Sequence, residues 1–348
     1  MLQPILDAYG FTNHVEVKPF GSGLINHTWM VHSGNSKMVL QRINQQVFKS
    51  PPAIAANIKM ISEYFQQHFP GYLFVTPGKT VQQEEMVYLA GKGYFRMFPF
   101  VENSHTIDVV SSTVQAYEAA RQFGRFTKLL SGFPSGQLHF TLPDFHNLPL
   151  RYRQFEKAVS AGNPARIEEA AGTIFFLKQY REIATISENI AVNPAFKKRV
   201  THHDTKISNV LFDENDKGLC VIDLDTVMPG YFISDVGDML RTYLSPVSEE
   251  ENDFSKIRIR EDYFKAIAEG YLAEMGDELS KEEKSHFVYA GKFMIYMQAL
   301  RFLTDYLNDD IYYGSKYEGH NFIRAKNQAV LLERLMEKEN ELTRLVAS

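Results

Sequence analysis

Residues 202–209 read His202-His203-Asp204-Thr205-Lys206-Ile207-Ser208-Asn209, and fourteen residues after Asn209 the apolar pair Val221-Ile222 runs into Asp223-Leu224-Asp225. A His, an Asp two places on, an Asn five places further and an acid closing a later strand are the groups that ATP-dependent phosphoryl transfer uses. The transition state of that reaction is loose, so positioning and charge neutralisation matter more than basicity. An aspartate that accepts the hydroxyl proton late is then sufficient, and Asp204 is the candidate. Asn209 and Asp223 offer the hard oxygen ligands that Mg²⁺ prefers. Lys206, two residues after Asp204, is a cation within reach of a transferred phosphate. Asp225 is either a second metal ligand or a turn cap. His202 reads as a brace for the loop, and Asp235 as an acceptor for the loop's backbone N–H groups or a helix N-cap.

These residues need elements to hold them. Val210–Asp213 and Leu219–Asp223 are apolar runs joined by the polar turn 214–218, which reads as a hairpin. A hairpin returns Asn209, at the start of one strand, and Asp223, at the end of the other, to the same end of the sheet. Upstream, strands are expected at Val15–Val17, Thr28–Val31, Lys37–Gln41, Leu73–Val75, Glu85–Leu89 and Tyr94–Met97, with Gly34-Asn35 as a turn. Pro51–Phe69 reads as a helix with Ile54, Ile58, Ile61 and Phe65 on one face. Gly21-Ser22-Gly23 lies between two strands, so it predicts a flap whose backbone N–H groups approach phosphate. It is neither a P-loop, since no G-K-[ST] follows, nor a dinucleotide-binding turn, since a strand comes next. A lobe of this kind also needs a cation on its third strand paired with an acid on its helix. Gln41 and Arg42 stand on that strand, so Arg42 is the candidate for phosphate, with Glu63 or Asn57 opposite it on the helix.

After Phe98-Pro99-Phe100 the pattern turns helical, with helices expected at 111–130, 148–160, 164–181, 260–275, 281–307 and 320–343. The fold class is therefore α+β and bilobal. An antiparallel-sheet lobe spans 1–100, a hinge lies near 97–103, and a larger helical lobe spans 101–348, with the site in the cleft between them.

Composition narrows the possibilities. With 348 residues the chain is long enough for two or three domains of roughly 100–200 residues. The net charge of −5 argues against nucleic acid as the main partner. The one cysteine, Cys220, excludes an internal disulfide and reads as a buried thiol in an apolar run. That cysteine usage, and an N-terminus without a basic, apolar leader, fit a cytoplasmic protein. No run of about 18 apolar residues is present, so no membrane partner is expected. No H-E-x-x-H, C-x-x-C or G-x-S-x-G pattern occurs.

Taken together, His202–Asn209 and Val221-Ile222-Asp223-Leu224-Asp225-Thr226-Val227-Met228-Pro229-Gly230 resemble the aminoglycoside phosphotransferase and choline kinase-like superfamily. Within it they are similar to the N-acetylhexosamine 1-kinase branch. The likeness extends to Leu40-Gln41-Arg42-Ile43-Asn44 and to Leu300-Arg301-Phe302-Leu303-Thr304-Asp305-Tyr306-Leu307, and so covers most of the chain. The resemblance implies transfer of the ATP γ-phosphate to the anomeric hydroxyl of N-acetylglucosamine or N-acetylgalactosamine, with Asp204 catalytic and Asn209 and Asp223 on Mg²⁺. It implies adenine against the hinge near Met97, Pro99 and Val101. It also makes the absent strand lysine a trait of the branch. A hexose pocket needs hydroxyl partners and an aromatic platform. Arg301, Asp305 and Tyr306 are candidates on one helix, and His146 and Arg151 are candidates on an insertion. The run Glu249-Glu250-Glu251 reads as a solvated loop. The rival readings are a kinase of the same fold for homoserine, choline or an aminoglycoside, and a pseudokinase sensor that binds ligand without turnover. A protein kinase is disfavoured because no A-P-E segment follows Asp223.

Overall fold

The computed structural model describes residues 2–11, 15–21 and 25–347. Its first lobe is a five-stranded antiparallel sheet in the order β1-β2-β3-β5-β4, built from β1 (Glu16–Pro19), β2 (His27–Ser33), β3 (Ser36–Arg42), β4 (Val87–Leu89) and β5 (Gly93–Pro99). The β2–β3 hairpin pairs Ser33 with Ser36, leaving the two-residue turn Gly34-Asn35. Gly34 has φ +58, the left-handed first position that such a turn requires. Because side chains alternate along a strand, the two faces of this sheet have separate fates. Val31, Leu40, Phe95 and Met97 face outward and form a small core with Ile5 and Leu6 of α1 (Gln3–Ala8). Met30, Val39, Gln41, Arg96 and Phe98 share the other face, and Arg96 reaches across it to Asp225 of the second lobe.

Between β3 and β4 lies α2 (Pro51–His68), opened by Pro51 and Pro52 in its first turn, where the missing N–H costs nothing. Its stripe of Ile54, Ile58, Ile61 and Phe65 packs into the core of the helical lobe, not onto the sheet. The expected strand at Leu73–Val75 is irregular chain instead. Phe74 there packs against the Phe65 ring and stacks on Phe126, so packing on helices has displaced strand pairing.

The second lobe contains α3 (Thr113–Leu129), α4 (Leu148–Ala161), α5 (Pro164–Glu169), α6 (Ala171–Gln179), α7 (Glu182–Val192), α8 (Phe232–Tyr243), α9 (Glu261–Met275), α10 (Lys281–Ser285), α11 (Phe287–Leu307), α12 (His320–Glu337) and α13 (Glu339–Ala347). Three expected long helices, over 164–181, 281–307 and 320–343, are each broken in two, at Ala170, His286 and Lys338. At its centre are two small ribbons: β6 (Arg199–Thr201) with β9 (Met228–Gly230), and β7 (Val210–Phe212) with β8 (Gly218–Val221). One large core surrounds them, with α11 buried along most of its length. Among the described residues no helix is long and apolar enough to cross a membrane.

Candidate active site

β6 leads directly into the loop that begins at His202, and the first turns of α8 are the template on which that loop is laid. Asp235 accepts the N–H groups of His202 (3.0 Å) and His203 (2.7 Å), and its backbone carbonyl accepts the Thr205 hydroxyl at 2.7 Å. Asp238, one turn on, accepts the Thr205 N–H at 2.8 Å. Tyr243 donates its hydroxyl to the Thr205 carbonyl and Thr226 donates to that of His202, each at 2.7 Å. The His202 ring donates from Nε2 to the Ile222 carbonyl (2.9 Å), which leaves Nδ1 to accept from the Asp204 N–H (3.4 Å). Burial lowers its pKa, so this neutral tautomer is the stable form. His203 bends the chain with φ +67, a left-handed conformation that a non-glycine residue holds only when its surroundings dictate it. A Cβ on Gly230 would lie 2.6 Å from His203 Nε2, so the ribbon beneath the loop has room for glycine alone.

The loop presents Asp204, with Lys206 Nζ at 3.3 Å from its carboxylate. Partial burial acts to lower the Lys206 pKa, but Asp204, Asp238 and Asp223 around it raise it overall, so the ammonium stays charged. Asn209 donates its side-chain N–H to the Asp204 carbonyl at 2.8 Å, which commits the amide nitrogen and leaves the oxygen for a cation. The Asn209 carbonyl accepts the Ile222 N–H at 2.9 Å, continuing the β7–β8 register and setting Asn209 beside Asp223. Asp223 has φ +59, the second left-handed residue at the site. Burial, then the charges of Asp225 and Asp204, push its carboxyl up to about 7. An acid held against like charges is relieved by a divalent cation. Among the described residues no group of three or more His, Cys, Asp or Glu side chains is arranged to hold a metal. Asn209 and Asp223 still fit Mg²⁺, which takes one or two carboxylates and completes its shell with water and phosphate oxygens.

Asp225 is used differently. Its Oδ1 lies 2.5 Å from Arg96 and its Oδ2 accepts the Asn26 side-chain N–H at 2.8 Å. Both oxygens are thus engaged from the sheet lobe, which makes Asp225 a partner for an arginine in place of the two roles expected for it, second metal ligand or turn cap. Arg42 is also redirected. It shares the outward face with Leu40, while Gln41, one residue earlier, faces the cleft opposite Arg96. Arg96 donates from Nε and a terminal nitrogen to Gln41 Oε1 at 3.2 and 2.9 Å. Glu63 is exposed on α2. Asn57 is buried there and ties α2 to the carbonyls of His139 (2.9 Å) and Val227 (3.1 Å) while accepting the His139 N–H (2.8 Å). Of the expected flap, Gly21 is exposed with φ +81, and Ser22 and Gly23 lie outside the described residues. Met97 points its side chain into the outer core and its carbonyl accepts the Gly78 N–H at 2.7 Å. Pro99 pairs with Met38 at a position between hydrogen-bonded pairs, so its carbonyl faces away from β3.

On the other side of the loop, His146 lies against His203, with ring centroids 5.3 Å apart and Ser234 Oγ bonded to both rings. Burial, then His203, Arg301, Arg241 and Arg151, hold His146 well below the ordinary histidine pKa. Arg301 sits among the rings of Phe145 (5.8 Å), Tyr312 (5.9 Å) and Tyr313 (5.4 Å). Asp305 does not stand beside them as a free acceptor. Its carboxylate takes the N–H groups of Tyr312 (2.7 Å) and Tyr313 (2.9 Å) and an amide N–H of Asn321 (3.1 Å), so it shapes the loop that carries the two tyrosines. Tyr306 is turned away altogether, its ring stacked on Phe322 and its hydroxyl donating to Glu169 at 2.5 Å. Adjacent helix positions are about 100° apart, so Tyr306 cannot face the same way as Asp305. Glu249 is not solvated as expected: it bridges Arg241 (2.7 Å) and Arg324, and Arg241 in turn holds Asp238 at 3.0 Å.

Arg96, Asn26 and Tyr243 are site residues that sequence reasoning missed. Only Arg96 left a readable signal, a lone charge in the apolar strand Tyr94-Phe95-Arg96-Met97-Phe98.

The chain belongs to the phosphotransferase enzyme family, whose model matches residues 16–275. Its fold is shared by an aminoglycoside phosphotransferase from Alicyclobacillus acidocaldarius, with a TM-score of 0.68, 13% identity, and coverage of 99% of this chain and 96% of that one. A microcompartment-associated aminopropanol kinase gives 0.67, 14% identity, and coverage of 98% and 97%. Spectinomycin phosphotransferase, solved with ADP and spectinomycin, gives 0.57, 13% identity, and coverage of 100% and 96%. At these identities the likeness is one of fold.

Proposed function

We propose that the protein is an ATP- and Mg²⁺-dependent kinase of a small neutral alcohol, and that its acceptor is the anomeric hydroxyl of an N-acetylhexosamine. The observation that carries the reaction type is the convergence of Asp204, Asn209 and Asp223 on the paired ends of one hairpin, with Lys206 beside Asp204. Asp204 would orient the hydroxyl and take its proton, and Lys206 would face the transferred phosphoryl group. Asn209 and Asp223 would hold Mg²⁺, which supplies charge neutralisation on the phosphates when bound. The Pro99 carbonyl and the Val101 N–H, two residues apart at the hinge, are the backbone groups suited to an adenine edge, and Val39 and Phe98 offer the apolar face above it.

The acceptor class follows from charge. Aminoglycoside and aminopropanol, named for two proteins of similar fold, are amines, and an ammonium group calls for unpaired carboxylates. Here Arg151, Arg241 and Arg301 surround His146 beside the loop, and the nearby Asp305 and Glu249 are already engaged. Arginine forks and tyrosine faces suit hydroxyl and amide oxygens on a pyranose. His146, buried and neutral, would act by fixing this cluster against the loop.

The test is ATP consumption with Mg²⁺ across N-acetylglucosamine, N-acetylgalactosamine, other free sugars, choline, homoserine and an aminoglycoside, with the product located by phosphorus–proton NMR coupling. Phosphate on the anomeric carbon of an N-acetylhexosamine is the expected result. Turnover of a cationic acceptor in preference would overturn the acceptor class, and nucleotide binding without any transfer would favour a sensor.

A further inference from the structure

We propose that Arg96 on β5 is the cation that binds the nucleotide phosphates, and that Asp225 is the acid that holds it in position. The inference rests on the kinase reading above. In lobes of this kind the phosphate-binding cation is ordinarily a lysine on the third strand, paired with a glutamate on the lobe's helix. Neither half of that pair is available here. β3 turns the neutral Gln41 into the cleft, and α2 carries Glu63 on its exposed side.

The same place is filled from the next strand. Arg96 stands directly opposite Gln41 in the β3–β5 register, with a side chain 1% exposed. Gln41 Oε1 accepts from its Nε and one terminal nitrogen, and the Phe98 ring lies 4.9 Å from its guanidinium carbon. The other terminal nitrogen forms the ion pair with Asp225, 2.5 Å away. Asp225 follows Asp223 by two residues, so the guanidinium is beside the acid proposed for the metal. It is near enough to that acid for the two charges to interact. Phosphate oxygens drawn to a cation on Asp223 would therefore meet Arg96. Asn26 completes the arrangement: it donates to Asp225 at 2.8 Å and accepts the Asn44 N–H at 3.0 Å, tying the end of the flap region to the same pair.

A purely structural role explains this geometry poorly. A buried ion pair adds little net stability compared with apolar side chains of the same volume, and the neighbours of Arg96 on β5 are apolar. The lysines on this face, Lys18 and Lys37, lie at its margins, exposed to solvent, and pair with Glu16 and Glu102. Of the two described cations that act on Asp223, Arg96 is the buried one and Lys206 is half-exposed.

Calorimetric binding of adenosine, AMP and ADP with Mg²⁺ to the unmodified protein and to Arg96→Gln tests the proposal. The unmodified protein should gain affinity from adenosine to ADP. Arg96→Gln should lose about tenfold or more of that gain, the size of a charge-assisted hydrogen bond, and keep its adenosine affinity. Adding Gln41→Lys to Arg96→Gln should return part of the gain by supplying a cation from β3. Should Arg96→Gln unfold because Asp225 is left buried and unpaired, Arg96→Gln with Asp225→Asn removes both charges and allows the same comparison. A full adenosine-to-ADP gain in a folded variant without Arg96 overturns the proposal and leaves the kinase reading standing. Failure of the unmodified protein to bind MgADP overturns the kinase reading itself.

Discussion

The loop from His202 to Asn209 and the strand face that carries Arg96 both present buried charge to one cleft, yet they secure it by different means. The loop is held redundantly. Asp235, Asp238, Tyr243 and Thr226 each take a separate backbone group, and all lie within one large core. The sheet face relies on the buried Arg96–Asp225 ion pair across the cleft, with two amides as braces and a small core behind it. A large core can immobilise carboxylates by surrounding them with N–H donors. A thin sheet cannot, so it borrows its counter-charge from the other lobe. The groups that must not move belong to the first kind of region, and the group that must follow a ligand belongs to the second.

The contrast is sharpest if each region is damaged in turn. Asp204→Ala should reduce kcat by about 100- to 10,000-fold while MgATP affinity stays within a few-fold, because the loop's scaffold does not depend on that side chain. Steady-state kinetics together with nucleotide calorimetry would check this, and near-normal kcat would remove Asp204 from the reaction. Asp235→Ala should act on folding, since it strands two buried N–H groups. A loss of about 2–5 kcal/mol in urea unfolding is expected, with both substrates affected together. Asp305→Ala should divide the kinetic constants: a raised acceptor KM as Tyr312 and Tyr313 lose their anchor, and an unchanged KM for ATP.

The pH response follows from Asp223. Its folded carboxyl is raised to about 7 against 3.8 for an ordinary aspartate, so the unfolded chain gives up the proton first. Stability from this group is therefore full below about pH 4 and is lost as pH rises to about 7. Mg²⁺ binding runs the other way, because the ligand must be ionised. Titrations at pH 6 and pH 8 should show weaker Mg²⁺ binding at the lower value, by up to about tenfold for each pH unit below 7. The smallest effect is reserved for the residues that sequence reading placed wrongly. Arg42→Ala and Glu63→Gln should each change stability by no more than about 0.5 kcal/mol and leave ATP use intact. A large loss in either would restore the strand-and-helix pair and weaken the case for Arg96.

What could be read in advance was local. The motif from His202 to Asn209 and the hairpin to Asp223 occupy 22 consecutive residues, so spacing alone implied their convergence. The antiparallel sheet followed from alternation, and the helical lobe from its long periodic stretches. Alternation also contained the answer about Gln41 and Arg42, because neighbouring strand residues cannot face the same way. Which of the two faced the cleft needed α1, whose packing fixes the outer side. Arg96 and Asp225 are 129 positions apart, and nothing in either segment names the other. Asp305 looked like a sugar ligand because residue type does not reveal whether a carboxylate is already occupied. Two of its three partners are backbone N–H groups of a following loop, which have no signature in side-chain chemistry.

Cys220 gives the hairpin a built-in gauge. It is the chain's one thiol, buried in β8 three residues before Asp223, and burial pushes its pKa up to about 12. A thiol reagent can therefore attack only while β7 and β8 part. The labelling rate of the unaltered protein, with no engineered probe, would time the opening of the strand pair that sets Asn209 against Asp223.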